Sequence, residues 1–199
     1  MSTLVLPDPC LVVLVGAAGS GKSTLAARCF TTEEILSSDA VRLAVAGDEA
    51  DQRASAIAFR ILFRTLDRRM TEGRSTVIDA TNTIPAHRRP ILARAQAAGV
   101  PTVAVVLDLP PATVLAQNAR RTARIVDREV VERHLAAVRR TVDSGQLTME
   151  GFDHVVLLRT ASEAAALRVE RRAQPAGTTR SATRPNAFAR TSTHTPLRR

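Results

Sequence analysis

The chain has 199 residues, 45% of them hydrophobic and 24% charged, which suits one catalytic domain of ordinary size. Its longest apolar run, residues 10–18, is much shorter than the ~18 consecutive apolar residues that a membrane span needs. Residues 1–9 lack the basic start of a signal peptide. These features exclude a membrane protein, and we expect the protein in the cytoplasm.

The net charge of +9 is distributed unevenly along the chain. Residues 174–199 contain five arginines, no acidic residue and a single aromatic one, which leaves +4 for residues 1–173. A segment rich in Pro, Ser, Thr and Ala buries too little apolar surface to offset the entropy lost on ordering. We therefore predict one domain over residues 1–173 and a basic disordered tail over residues 174–199.

A single lysine, Lys22, stands among 27 arginines, which indicates a site where the two cations are not interchangeable. Residues 16–23 fit the pattern G-x-x-x-x-G-K-[ST] between an apolar run and a helix-forming stretch. In such a loop the backbone N–H groups surround phosphates, the lysine reaches the β- and γ-phosphates and the serine hydroxyl binds Mg²⁺. The residues expected to bind ATP are Gly16, Gly19, Ser20, Gly21, Lys22, Ser23 and Thr24.

Short apolar segments alternate with longer amphipathic ones along the rest of the chain. The segments at residues 34–37, 76–79, 102–107 and 154–158 are predicted strands, and residues 51–73 have helical spacing. This alternation predicts an α/β fold of the P-loop kinase kind, a parallel sheet with helices on both faces. A GTPase is excluded, because its N-K-x-D guanine motif needs a second lysine.

Asp39 comes shortly after the strand predicted at residues 34–37 and is a candidate general base. Ligands of doubly wound sheets bind outside the carboxyl ends of the strands, so this carboxylate should lie near the triphosphate. It can accept the proton of an attacking hydroxyl, and Arg42, one helical turn later, can bind the acceptor. The alternative is that Asp39 only caps the N-terminus of a helix.

A second acidic residue, Asp79, ends the strand predicted at residues 76–79. It is a candidate for organising Mg²⁺ together with Ser23, while Thr81 and Asn82 are candidates for positioning the substrate. Arg88, on the following helical segment, is a candidate for binding an anionic acceptor. The alternatives are an ordinary exit from a strand and a solvated arginine.

Three arginines between two predicted helices, Arg120, Arg121 and Arg124, indicate a lid that closes over the γ-phosphate. The helix that begins after Asp127 carries Val131, Leu135, Val138 and Val142 on one face. We interpret that face as a packing stripe only.

In these motifs the sequence resembles the kinase module of the bacterial polynucleotide kinase-phosphatase end-healing enzymes. The resemblance covers residues 10–172. The motifs that carry it are Ser37-Ser38-Asp39 with Arg42, Asp48-Glu49-Ala50-Asp51-Gln52, Asp79-Ala80-Thr81-Asn82 and Arg121-Thr122-Ala123-Arg124. The resemblance implies ATP-dependent transfer of phosphate to the 5′-hydroxyl of RNA or DNA, with Mg²⁺ as the metal.

The same resemblance implies a role for individual residues. Asp39 would be the general base and Arg42 would contact the acceptor, while Arg121 and Arg124 would grip the donor, with Arg120 able to replace either. Two alternatives remain open at this point. One is a kinase of a small alcohol such as a sugar, an antibiotic or a nucleoside-like compound, and the other is a regulatory module that uses the P-loop as a switch.

Overall fold

The computed structural model describes residues 3–46, 52–122 and 125–173. In that part of the chain, five parallel strands form a sheet in the order β3-β4-β2-β5-β6, and β1 and β7 form a separate parallel pair. The strands are β1 Thr3–Asp8, β2 Leu11–Gly16, β3 Ile35–Ser37, β4 Thr76–Asp79, β5 Thr102–Leu107, β6 His154–Leu158 and β7 Arg168–Ala173. The helices are α1 Lys22–Cys29, α2 Ser38–Ala46, α3 Gln52–Thr71, α4 Pro85–Ala97, α5 Pro111–Ala119, α6 Arg128–Asp143, α7 Gln146–Glu150 and α8 Ala161–Ala166.

Two apolar clusters cover the two faces of the five-stranded sheet. Strand β2 is buried along its whole length. Because successive side chains of a strand point to opposite faces, its alternate residues contribute to the two clusters. The first cluster joins the sheet to α1 and α5 through Leu25 and Val114. The second joins it to α3 and α4 through residues such as Leu66 and Ile91. The predicted α/β fold with helices on both faces is confirmed.

The register of the strands brings four strand ends to one edge. Gly16 of β2 lies opposite Leu107 of β5, and Ser37 of β3 lies opposite Asp79 of β4. The strand bounds predicted from the sequence agree with these elements, except that β3 begins one residue later, at Ile35. Side chains that follow Gly16, Ser37 and Asp79 therefore meet at the carboxyl edge of the sheet.

The β1–β7 pair was not predicted from the sequence. Strand β1 contains Pro7, which argues against a strand, and β7 is mostly charged and exposed. The two strands pair from Thr3 opposite Arg168 to Asp8 opposite Ala173. Leu6 of β1 and Leu167, directly before β7, belong to the first cluster. Residues 174–199, the predicted tail, lie outside the described residues.

Candidate active site

The loop between β2 and α1 has the backbone shape that phosphate binding needs. Gly19 and Gly21 have φ values of +82° and +90°, which lie in the left-handed region that favours glycine. A Cβ on Gly19 would also lie 2.8 Å from Cβ of Asn118. Both the backbone conformation and the close packing against α5 therefore require a glycine at position 19.

Helix α1 begins at Lys22, directly after the loop. The capping position is occupied by Gly21, which has no side chain. The first N–H groups of the helix therefore have no side-chain cap in the described structure. Ser23 and Thr24 lie in this first turn and are exposed. The helix end thus presents backbone donors and a partial positive charge, which together suit an anionic phosphate.

The ammonium group of Lys22 lies inside the loop that it follows in sequence. Its Nζ donates to the carbonyl oxygens of Gly16 at 3.0 Å and Ala17 at 2.7 Å, and to Oγ of Ser20 at 3.5 Å. Burial lowers the pKa of Lys22 to about 8, and the carboxylates of Asp79 and Asp39 oppose this change. The lysine is therefore a buried cation with two acidic groups within electrostatic range.

Asp79 ends β4 beside Ser23, as a metal pair requires. The carboxylate is only 7% exposed and accepts a hydrogen bond from the Ser23 hydroxyl. Burial raises the pKa of Asp79, whereas Ser23 and Lys22 act in the opposite direction. A hydroxyl and a carboxylate are the hard oxygen ligands that Mg²⁺ accepts alongside phosphates, so these two residues fit that metal.

Asp39 lies in the first turn of α2 at the same edge of the sheet, and its side chain is 47% exposed. It forms an ion pair with Arg42. The capping alternative is not observed, because the Ala40 N–H donates to Oγ of Ser37 at 3.3 Å. Asp39 is thus an accessible carboxylate close enough to affect Lys22, and Arg42 orients it.

Two of the predicted substrate residues, Asn82 and Arg88, are buried and form hydrogen bonds within the protein. Asn82 is 3% exposed, and its amide donates to the Leu14 carbonyl at 2.8 Å, so it ties the β4 exit to β2. Arg88 is fully buried: its guanidinium donates to both carboxylate oxygens of Glu150 and to the Asn82 carbonyl. The Arg88 guanidinium and the Asn82 amide nitrogen are thus bonded within the protein, and substrate binding by these two residues stays a prediction.

Thr81 remains a candidate substrate residue. Its side chain is partly exposed, and its carbonyl accepts from the Gly16 N–H at 3.0 Å. That bond joins the β4 exit to the start of the phosphate loop. Thr81 is therefore held beside the loop by its backbone, and the residue is partly exposed at the same edge.

The connection between α5 and α6 is anchored to the phosphate loop. Asn118, 4% exposed, donates to the Val126 carbonyl at 2.7 Å and accepts from the Val126 N–H at 3.2 Å. Arg121 lies between these two anchors, and its charge contributes to lowering the pKa of Lys22. Arg124 lies outside the described residues, as do residues 48–51 of the acidic motif.

Two residues near the phosphate loop, Asn118 and His134, were not singled out from the sequence. Asn118 contacts Gly19 and Val126, and no sequence motif predicts either contact. His134 lies on the α6 face that was interpreted as packing only, three residues after Val131. A histidine within an apolar stripe was the one available signal.

The fold is that of a P-loop kinase. The chain belongs to the AAA domain family AAA_33, whose model matches residues 11–144. A search of curated protein sequences gives no significant match.

Solved structures with the same fold include several proteins that are related only distantly in sequence. A chain of the Pnkp1/Rnl/Hen1 RNA repair complex is 21% identical with a TM-score of 0.60, over 70% of this chain and 47% of that one. The present chain thus spans about half the length of that neighbour. A sugar kinase from Janibacter sp. HTCC2649 is 19% identical with a TM-score of 0.50, over 76% and 85%. A chain of the AvrRxo1-ORF1:-ORF2 complex with ATP is 16% identical with a TM-score of 0.58, over 77% of this chain and 55% of that one.

Within residues 3–46, 52–122 and 125–173, no helix combines the length and the apolar character needed to cross a bilayer.

Proposed function

We propose that the protein is an ATP-dependent polynucleotide 5′-hydroxyl kinase with Asp39 as its general base. The observation that carries this proposal is the position of Asp39. Its half-exposed carboxylate lies at the carboxyl edge of the sheet, within electrostatic range of Lys22 and oriented by Arg42. A phosphate-binding loop and an accessible carboxylate at one edge supply the donor site and the proton acceptor that phosphotransfer to an alcohol needs.

The donor side of the reaction rests on the loop and α1. The N–H groups at the start of α1 and the ammonium of Lys22 would bind the β- and γ-phosphates of ATP. For this, Lys22 must exchange its bonds to Gly16 and Ala17 for phosphate oxygens. Ser23 and Asp79 would hold Mg²⁺, which would neutralise charge on the phosphates. Arg121 and Arg124 would add positive charge from the α5–α6 connection.

The acceptor side rests on Asp39, Arg42 and Thr81. The Asp39 carboxylate would take the proton of the attacking hydroxyl, so that the oxygen can form its bond to the γ-phosphorus as ADP leaves. The pairing with Arg42 keeps the carboxylate in one orientation. Arg42 would also contact the phosphate next to the acceptor hydroxyl, which is a feature of a polynucleotide end.

Two further observations support a nucleic acid acceptor. The chain resembles the polynucleotide kinase module in the order of its motifs, and one structural neighbour belongs to an RNA repair complex. Five arginines without acidic neighbours in residues 174–199 would add affinity for a phosphate backbone.

A kinase of a small alcohol is the second candidate. Residues 1–173 carry a modest +4 charge, and a sugar kinase shares the fold over 85% of its own length. Such an enzyme would use the same donor site and the same base. A regulatory module that uses the P-loop as a switch is a third candidate, although an accessible Asp39 has no role in it.

One assay separates these candidates. The protein is incubated with γ-labelled ATP and Mg²⁺ beside 5′-hydroxyl RNA and DNA oligonucleotides, matched 5′-phosphorylated oligonucleotides, sugars, nucleosides and aminoglycosides. Label on the 5′-hydroxyl strands alone supports the proposal, and the Asp39→Asn variant should remove that label. Label on a small alcohol but on neither oligonucleotide would assign the second candidate. Tight ATP binding without any labelled acceptor would favour the regulatory module.

A further inference from the structure

The side chain of His134 lies where α6 crosses the carboxyl edge of the sheet. Val131 of α6 packs into the cluster shared with α1 and α5, whereas Val138 packs into the cluster shared with α3 and α4. Because these clusters lie on opposite faces of the sheet, α6 must pass from one face to the other between Val131 and Val138. His134 lies between them on the same side of the helix.

The crossing takes place above the phosphate loop. Helix α6 contacts β2 and also packs into the clusters on both faces of the sheet, so it passes across an end of the strands rather than along one face. The helix begins just after Val126, which is bonded to Asn118, and Asn118 packs against Gly19 of the loop. The first turns of α6 therefore lie over the carboxyl end of β2, where nucleotide phosphates would bind.

The surroundings of the His134 ring agree with this position. Burial lowers the pKa of His134, and the charges of Lys22, Arg133 and His87 lower it further. Lys22 begins α1 and His87 lies in the first turn of α4, so the ring lies within electrostatic range of both helices at the carboxyl edge. The imidazole is therefore neutral at neutral pH and lies near the ammonium that faces the phosphates.

The burial of Nδ1 decides which ring nitrogen of His134 carries the proton. Nδ1 of His134 is buried and has no hydrogen-bond partner among the described residues, although the residue as a whole is partly exposed. A proton on Nδ1 would leave a buried N–H without an acceptor, which proteins avoid. The neutral ring therefore carries its proton on Nε2, which makes Nε2 a hydrogen-bond donor.

The geometry points to His134 as a further substrate-binding residue, whose Nε2–H donates a hydrogen bond to the phosphoryl group in transfer. This inference rests on the proposed phosphotransfer, although it holds for any alcohol acceptor. A neutral donor beside Lys22 stabilises charge on the phosphoryl oxygens without repelling the ammonium. The contact strengthens as that charge redistributes during transfer.

Kinetics of three variants test the contact. In His134→Gln the side-chain amide can reach the region of Nε2, in His134→Asn it reaches only that of Nδ1, and His134→Leu keeps the volume without a donor. We expect kcat to fall about 10–100-fold in the Leu and Asn variants with KM for ATP changed less than about threefold, and the Gln variant to recover most of the loss. His154→Gln, an exposed histidine at the opposite end of the sheet, is the matched control and should behave as wild type. Wild-type kcat in His134→Leu, or equal losses in all three variants, would overturn the assignment.

A measurement without turnover completes the test. Histidine NMR of the wild-type protein, with His134 assigned by the His134→Gln spectrum, is recorded with Mg²⁺ and either ADP or a non-hydrolysable ATP analogue. The γ-phosphate should shift the pKa of His134 upward because its charge offsets that of Lys22, whereas ADP should leave the titration nearly unchanged. An unchanged titration at saturating analogue would overturn the inference even if a variant fails to fold. Failure of the analogue to bind would remove the proposed donor site and this inference together, whereas failure of oligonucleotides as acceptors would affect only the proposed substrate.

Discussion

Arg88 and Glu150 form a buried ion pair between α4 and α7, with Nε to Oε2 at 2.7 Å and Nη2 to Oε1 at 2.6 Å. The Arg88 side chain is 0% exposed and the Glu150 side chain 16%. The third nitrogen, Nη1, donates to the Asn82 carbonyl at 2.7 Å, and Asn82 in turn donates to Leu14 of β2. The pair therefore fixes the position of the segment after β4, which contains Thr81.

Removal of one partner of this pair should destabilise the fold strongly. Glu150→Ala leaves a fully buried guanidinium without its counter-charge, and such losses cost about 3–5 kcal/mol. Chemical denaturation measures the change in the free energy of unfolding. The matched control is Glu132→Ala, which removes an exposed pair with Arg128 and should cost at most about 1 kcal/mol. Equal effects of the two substitutions would show that the Arg88–Glu150 pair is not structural.

Lys22→Ala should abolish phosphotransfer and leave the fold intact. The side chain bonds only within its own loop among the contacts described, and its function is to place positive charge on the β- and γ-phosphates. We expect a loss of about 10²-fold or more in kcat/KM with an unchanged circular dichroism spectrum. Lys22→Arg should not rescue activity, because the loop encloses a compact ammonium. Near-normal turnover of Lys22→Arg would contradict this reading of the loop.

ATP affinity should fall as the pH rises through about 8. Burial lowers the pKa of Lys22 to about 8, so the ammonium loses its proton above that pH, and only the charged form attracts phosphate. Binding of the triphosphate favours the protonated lysine, so the affinity should decrease by up to about tenfold for each further pH unit. Calorimetry with a non-hydrolysable analogue between pH 7 and 9.5 measures this dependence. In Lys22→Ala this part of the pH dependence should be absent.

Asp39→Asn should reduce turnover by about 10²–10⁴-fold with ATP affinity largely kept. The amide preserves the shape of the side chain but cannot take the proton of the acceptor hydroxyl. Because Ser37, rather than Asp39, accepts the hydrogen bond at the start of α2, the melting temperature should change little. A lower melting temperature with normal specific activity would instead assign a structural role to Asp39.

Deletion of residues 174–199 should leave a folded domain that still phosphorylates a short acceptor. The deletion removes five arginines, and five phosphate contacts on a single strand correspond to a change of about 3.5 in the slope of log K against log salt concentration. Binding of a long 5′-hydroxyl strand across a salt series, full length against truncated, measures this change. Identical slopes would mean that the segment does not contact nucleic acid and would favour a small-molecule acceptor.

The residues whose positions could be predicted from the sequence lie beside strands that the sequence makes visible. Lys22, Asp39 and Asp79 each lie at or shortly after the carboxyl end of a strand that is visible as an apolar run, and parallel strands bring these ends to one edge. The internal bonds of Arg88 and Asn82 could not be predicted, because their partners, Glu150 and Leu14, lie 62 and 68 residues away in sequence. A polar residue near a predicted site can bind ligand or protein, and sequence order alone does not distinguish the two.

The pairing of β1 with β7 has a consequence for the order of folding. It joins Thr3 to Arg168, so it closes a loop that contains almost the entire described domain. The entropy lost in closing so long a loop is offset only after the intervening sheet has brought the two strands together. Strand β1 should therefore dock late, and its amide protons should exchange more readily than those of β2, although only Pro9 and Cys10 separate the two strands.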